Sequence, residues 1–286
     1  MSLPMTQKRI SPDHLHTLLL VLISAVGVAA FLYPFVLAAG HDAGLETAAH
    51  AREAPYLFAV VSGLCLLAAL IAPQDAGGGT NRARIVALLG VLVAIDATLR
   101  LVPGFLGASP IFPLIILTGA VFGASFGFQM GAMTLLLSAF LTGGVGPWLP
   151  FQMFATGWIG LTAGWLPRLN SPRQRLLLLA GFGALWGFLF GAIMNLWFWP
   201  LTAPGIEADT GLYWQPGMGF AETLERYIRF YVTTSLTFDL LRGIANAGLM
   251  LFLGGPVLRL LERYQSRFSW QPWQDISPAT ATTPTP

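Results

Sequence analysis

Charge is what this sequence has least of. Asp, Glu, Lys and Arg make up 10% of its 286 residues, against roughly 25% in an ordinary soluble domain. So few charges cannot cover the surface of a water-soluble protein whose composition is 55% hydrophobic. The single cysteine, Cys65, excludes an intrachain disulfide and sits in an apolar run as an inert helix residue. His14, His16, His41 and His50 fall outside the apolar runs, and His14 and His16 are spaced i,i+2, a poor helical ligand pair, so no metal site is expected. G-x-x-x-x-G-K-[ST], G-x-S-x-G and H-E-x-x-H are all missing, and no polar segment is large enough for a nucleotide-binding domain. The chain does not couple ATP to movement by itself.

The apolar runs are long. Spans are expected at 18–39, 56–72, 85–102, 111–128, 132–141 with its flanks, 150–166, 176–200 and 228–253 with a continuation. Several reach the ~20 residues that cross a hydrocarbon core of about 30 Å. None alternates as barrel strands do, so the fold class is all-α, a polytopic transmembrane helical bundle. Lys8 and Arg9 precede the first run as they would in a signal peptide, but the run exceeds the ~7–15 apolar residues of such segments and is read as a retained helix.

Basic residues orient the bundle. With the N-terminus inside, the inner segments hold ten bases, from Lys8 to Arg267, and only four acids; the outer segments hold Arg52, Arg226 and Arg229 against seven acids. Eight helices with both termini cytoplasmic fit this split in the cell membrane. The formal net charge of +2 therefore concerns topology and not nucleic acid, since the bases are scattered over short loops. "PQDAGGGTNRAR", from Pro73, reads as a linker between a two-helix unit (1–72) and the remainder. The boundaries that follow are a flexible cytoplasmic linker at 73–82, a six-helix core at 83–268 and a disordered Pro/Thr-rich tail at 269–286.

Small residues recur at helix-packing steps: Gly119, Gly123, Gly127 and Gly131; Gly160 and Gly164; Gly183, Gly187 and Gly191. Such spacing brings backbones together in a membrane. On the third span Ala83, Ala87, Gly90, Ala94 and Ala97 lie within about 80° of one another, while Asp96 and Arg100 fall on another face. The smooth ridge either packs inside the bundle or docks a second membrane protein. Asp96 and Arg100 are spaced i,i+4 with the acid first, the favourable order for a helical ion pair. Ser235, Asp239, Arg242 and Asn246 form a second polar stripe on the last span. Ionisable groups in lipid must be paired or face a cavity, so this stripe points inward, either lining a ligand site or locking helices. Asn195 and Gln152 add amides.

Two outer loops carry no acid and almost no base: "RLVPGFLGASP" from Arg100 and "TGGVGPWLPFQ" from Thr142. Glycine turns them and proline stiffens them. Above a polar-lined bundle they read as a lid, with Trp148, Phe151, Trp197, Trp199 and Trp214 either as walls of the chamber or as interfacial belt residues.

These segments resemble a family. The small-residue helix ending "DATLRLVPGF", then "SPIFPLIILTGAVFGASFGFQMGA", "TGGVGPWLPFQMFATGWIGLTAGWLPR", "FGALWGFLFGAIMNLWFW" and "SLTFDLLRGIANAGLMLFLGGPVLRLLER" are similar, in order, to the substrate-binding S components of energy-coupling factor (ECF) vitamin transporters. The resemblance implies a six-helix core to which two N-terminal helices have been added. It implies a vitamin-like ligand near the outer face, and a transmembrane T component with two cytosolic ATPases as partners. It implies docking of the T component on Ala83, Ala87, Gly90 and Ala94, and no catalytic residue or cofactor. Asp96, Arg100, Trp148, Gln152, Asn195, Asp239, Arg242 and Asn246 are the expected substrate contacts. A cobalamin-type ligand is the first expectation, with riboflavin, thiamine-like, pantothenate and queuosine-precursor ligands open. The competing functions are an intramembrane enzyme using Asp96 and Asp239, and a membrane assembly subunit without a ligand.

Overall fold

The computed structural model describes residues 12–37, 56, 59–60, 62–63, 79–102, 109–201, 211–215 and 217–268. Most of the expected second span, 56–72, and the Pro/Thr-rich tail lie outside them. The described residues fold as α-helices with no strand: α1 (Pro12–Leu37), α2 (Gly79–Leu99), α3 (Ile111–Phe122), α4 (Ala124–Thr142), α5 (Leu149–Ala163), α6 (Pro172–Phe198), α7 (Phe220–Thr234) and α8 (Leu236–Phe268). Helix α2 begins at Gly79, inside the segment read as a linker. Three helices, α4, α6 and α8, are long and apolar enough to cross a membrane on their own.

The expected 111–128 span is broken. Gly123 takes φ 99° and ψ 173°, a backbone open to glycine and strained for other residues, and the chain reverses there. Gly119 and Gly127, eight residues apart, would be about 12 Å apart along one helix. Instead a Cβ built on Gly127 would meet the Gly119 backbone at 2.7 Å, which only a hairpin allows. The regular glycine step across 119–131 is therefore two half-ladders facing each other. Both press on α5: a Cβ on Gly119 or on Gly127 would lie 2.2 Å from the Gly160 carbonyl oxygen, and one on Gly131 2.2 Å from that of Thr156. What reads as the weakest span, 132–141, is in fact the end of α4, 19 residues long.

Helix α3 has 12 residues, a rise of about 18 Å, short of the ~30 Å of a hydrocarbon core. Its neighbours wrap it, and Ile115, Ile116 and Leu117 are buried. Short helices are tolerated at membrane depth when protein surrounds them. The carbonyl of Val121, in its last turn, accepts Arg168 Nη2 at 3.1 Å and Gln265 Nε2 at 2.6 Å, which satisfies a helix-end acceptor.

The expected 228–253 span is also divided. Residues up to Thr234 belong to the amphipathic α7, which carries Glu222–Arg226 and Glu225–Arg229 pairs at i,i+4. Helix α8 starts at Leu236 and runs on through Pro256 to Phe268.

Helix α1 lies across α5 and α6. Trp158 Nε1 donates to Ser24 Oγ at 3.2 Å, Phe31 meets Phe151 edge-on at 5.1 Å, and Ile23 is fully buried. In its last turn, Phe35 packs on Trp199 and Trp214, which with Phe230 form a separate aromatic cluster. Both tryptophans are buried there, so these two are packing residues and neither belt nor chamber wall. The first helix shields a face of the core.

Candidate functional site: a polar cavity at one end of the bundle

Two helix seams carry the ionisable groups. Along the first, α2 and α4 run in parallel with a constant offset. Thr134 Oγ1 donates to Asp96 Oδ2 at 3.0 Å, and Arg100 Nη1 donates to Ser138 Oγ at 2.9 Å, both across 38 residues. The i,i+4 acid and base of α2 are thus drawn apart by two hydroxyls at the same spacing on α4. Asp96 and Arg100 do not form the ion pair their order favours, because no carboxylate oxygen lies within 4 Å of Arg100 among the described residues. Asp96 is fully buried, and its Oδ1 has no hydrogen-bond partner among those residues.

Along the second seam, α8 lays its polar stripe on the glycines of α6. A Cβ on Gly191 would fall 1.9 Å from Asp239 Oδ2, one on Gly187 2.4 Å from Gly243 Cα, and Gly183 faces Asn246. The glycine step expected to serve close packing makes room here for carboxylate and amide groups. Asp239 Oδ1 accepts Arg242 Nη1 at 2.5 Å, with both side chains largely buried. Arg242 also donates to the Gly187 carbonyl at 3.2 Å and lies 5.2 Å from the centre of the Phe190 ring. Asn246 Nδ2 donates to the Gly183 carbonyl at 3.1 Å, and Asn195 Nδ2 to Ser235 Oγ at 2.7 Å.

The seams converge on a cavity of about 120 Å³. Arg100, Ser109, Ile111, Phe112, Leu135, Gln152, Thr156, Phe190 and Arg242 line it. Gln152 reaches it from the first turn of α5, after the glycine-rich loop has turned on Gly143 in the left-handed conformation. Its Oε1 is buried without a partner among the described residues. Phe112 and Phe190 meet edge-on at 5.1 Å and form an aromatic wall.

Of the eight expected contacts, the cavity brings together Arg100, Gln152 and Arg242. Asp239 stands behind Arg242 as its counter-ion. Asp96, Asn195 and Asn246 are held in the seams, and Trp148, 40% exposed, lies on the loop with its Nε1 donating to the Gly144 carbonyl. Ile111, Phe112, Leu135, Thr156 and Phe190 were not expected. Thr156 had a signal, lying one turn after Gln152 on the same face. The four apolar residues are indistinguishable by sequence from any lipid-facing or core residue. No group of three or more His, Cys, Asp or Glu suited to a metal occurs among the described residues.

On α2, Ala83, Ala87, Gly90 and Ala94 are exposed, beside Val86, Val91 and Ile95. Ala97, the last of the small-residue stripe, is buried. The ridge thus faces out of the bundle and the Asp96 face into it, with α4 as the main support of α2.

Long apolar helices closed around a small polar cavity define an all-α integral membrane protein. The family described as ECF transporter, substrate-specific component, matches residues 84–254, more than half of the chain, and the chain belongs to it. Members are transport subunits. No curated protein and no solved structure matches the chain.

Proposed function

We propose that this chain captures a vitamin or cofactor precursor in the Arg100–Gln152–Arg242 cavity for uptake into the cell. Its partners are a transmembrane T component and two cytosolic ATPases, and both of its termini are cytoplasmic, as the distribution of basic residues favours. The observation that carries the reading is the convergence of two arginines, a free amide oxygen and an aromatic wall on one cavity within a family of substrate-specific subunits. The outward ridge at Ala83, Ala87, Gly90 and Ala94 is the T-component surface. Binding is favoured over acid–base catalysis because Asp96 and Asp239, the two carboxylates suited to such chemistry, are absent from the cavity lining.

The cavity is smaller than the roughly 300–1,000 Å³ typical of drug-sized ligands. A cobalamin-type ligand requires it to widen, and a small vitamin does not. Native mass spectrometry of protein purified from cells grown in rich medium identifies the bound molecule. A vitamin or precursor is the expected result, and a chemically altered substrate or an empty cavity counts against it. Ala87→Trp is expected to abolish co-purification with the T component while the bound molecule remains; retention of that partner refutes the docking surface.

A further inference from the structure

Among the described residues, the charges around the cavity do not balance. Arg242 is neutralised by Asp239 at 2.5 Å and held by the Gly187 carbonyl and the Phe190 ring. Arg100 has no such partner among the described residues. Among them its one hydrogen bond goes to the neutral Ser138 hydroxyl, although a guanidinium carries five N–H donors in a planar fork. Asp96, the nearest acid in sequence, is turned to Thr134 and does not line the cavity. Among the described residues, one positive charge therefore has no carboxylate beside it where it lines a partly open cavity in a membrane-embedded bundle. An arrangement of that kind is costly unless an anion completes it. Gln152, also in the lining, has a buried Oε1 acceptor with no donor among the described residues, which asks for an N–H or O–H from the occupant.

We infer that the occupant of this cavity bears a carboxylate or phosphate that engages Arg100, and a hydrogen-bond donor that meets Gln152 Oε1. The inference rests on the uptake reading and narrows it to the anionic members among vitamins and precursors. A planar oxyanion takes two parallel N–H bonds from the guanidinium edge that Ser138 leaves unused, so the bond is directional as well as charged. Phe112 and Phe190 take the apolar body of the ligand. Arg242, already matched by Asp239, adds orientation and no further net charge.

The test uses the full chain in detergent, with acid and neutral twins as probes: nicotinate against nicotinamide, pantothenate against pantothenol, and acetate and phosphate as minimal anions. Thermal unfolding at millimolar probe is expected to rise with acids and not with their neutral twins. Arg100→Met is expected to weaken that response about tenfold or more, as the loss of a charged hydrogen bond predicts. Arg100→Lys retains part of it. The ligand-free Arg100→Met protein is expected to be at least as stable as the parent, since an unmatched charge has been removed; a clear loss of stability would show Arg100 to be a structural strut and overturn the inference. Equal response to the neutral twins, or no response to any acid, overturns it too. A response only to phosphatidylglycerol in nanodiscs, and not to dissolved acids, assigns Arg100 to a lipid headgroup and has the same consequence. If acids bind through Arg100 but no nutrient co-purifies, the anion site stands and the uptake reading falls.

Discussion

Between α6 and α8 the charges are matched: Asp239 holds Arg242, Asn246 Nδ2 holds the Gly183 carbonyl, and glycine clears the space each requires, while Asp239 Oδ2 and Asn246 Oδ1 have no partner among the described residues. Between α2 and α4 a similar set of residues does not close. Asp96 and Arg100 have the spacing of an ion pair, yet each is taken by a separate hydroxyl, and an arginine is left facing the cavity without an acid among the described residues. One seam matches its acid to its base, and the other leaves its base without an acid among the described residues. The partner helix makes the difference. Glycines offer only carbonyl oxygens and room, so Asp239 and Arg242 turn to each other. Thr134 and Ser138 offer hydroxyls at the matching step and pull Asp96 and Arg100 apart.

The largest expected effect breaks the closed seam. Gly191→Val places carbon atoms where the Asp239 carboxylate sits, 1.9 Å from the Cβ position. The cost is about 3 kcal/mol or more, at the severe end of overpacking, read as loss of the monodisperse peak in size-exclusion chromatography. A normal elution profile would show that α8 has room to shift. Next, Arg242→Ala leaves Asp239, 2% exposed, without its counter-ion and is expected to cost about 3–5 kcal/mol. Its first effect is on stability, and weaker ligand binding follows from that.

A pair of double-mutant cycles sharpens the contrast. Thermal unfolding of Asp239→Asn and Arg242→Met variants, singly and together, is expected to show coupling of about 1.5 kcal/mol or more, while the Asp96→Asn and Arg100→Met cycle shows less than about 0.5 kcal/mol. Equal couplings would mean that Asp96 and Arg100 are paired after all. Thr134→Val removes the one hydrogen bond to Asp96 and is expected to cost about 1–3 kcal/mol; a neutral result would show that the carboxyl finds another donor. The smallest effect has the opposite sign. A Cβ on Gly90 meets nothing within 4 Å, so Gly90→Ala is expected to stabilise α2 by about 0.5–1 kcal/mol. Destabilisation would mean that the ridge is already covered.

Much of the bundle was legible because membrane helices advertise themselves by length and apolarity, and the family resemblance supplied their order. The boundaries at Gly123 and Ser235 were misplaced for different reasons. At Gly123 the flanking residues are apolar on both sides, so hydropathy runs straight through a reversal that only the backbone dihedral of the glycine reveals. At Ser235 the backbone stays αR, and the end of the amphipathic α7 leads directly into the apolar α8. In the site, Arg100, Gln152 and Arg242 stood out because polar residues are rare in such runs. Phe112 and Phe190 did not, since an aromatic ring looks the same to the sequence whether it faces lipid, core or ligand.

The amino-acid order by itself determined that this chain is helical and membrane-embedded, that its polar groups turn inward, and that α2 has a smooth face and a charged one. Those outcomes follow from period, composition and the cost of exposing charge to lipid. Which acid pairs with which base was decided only by the tertiary structure. Pairing depends on what the facing helix presents at the same height, and one helix carries no record of its neighbour's register.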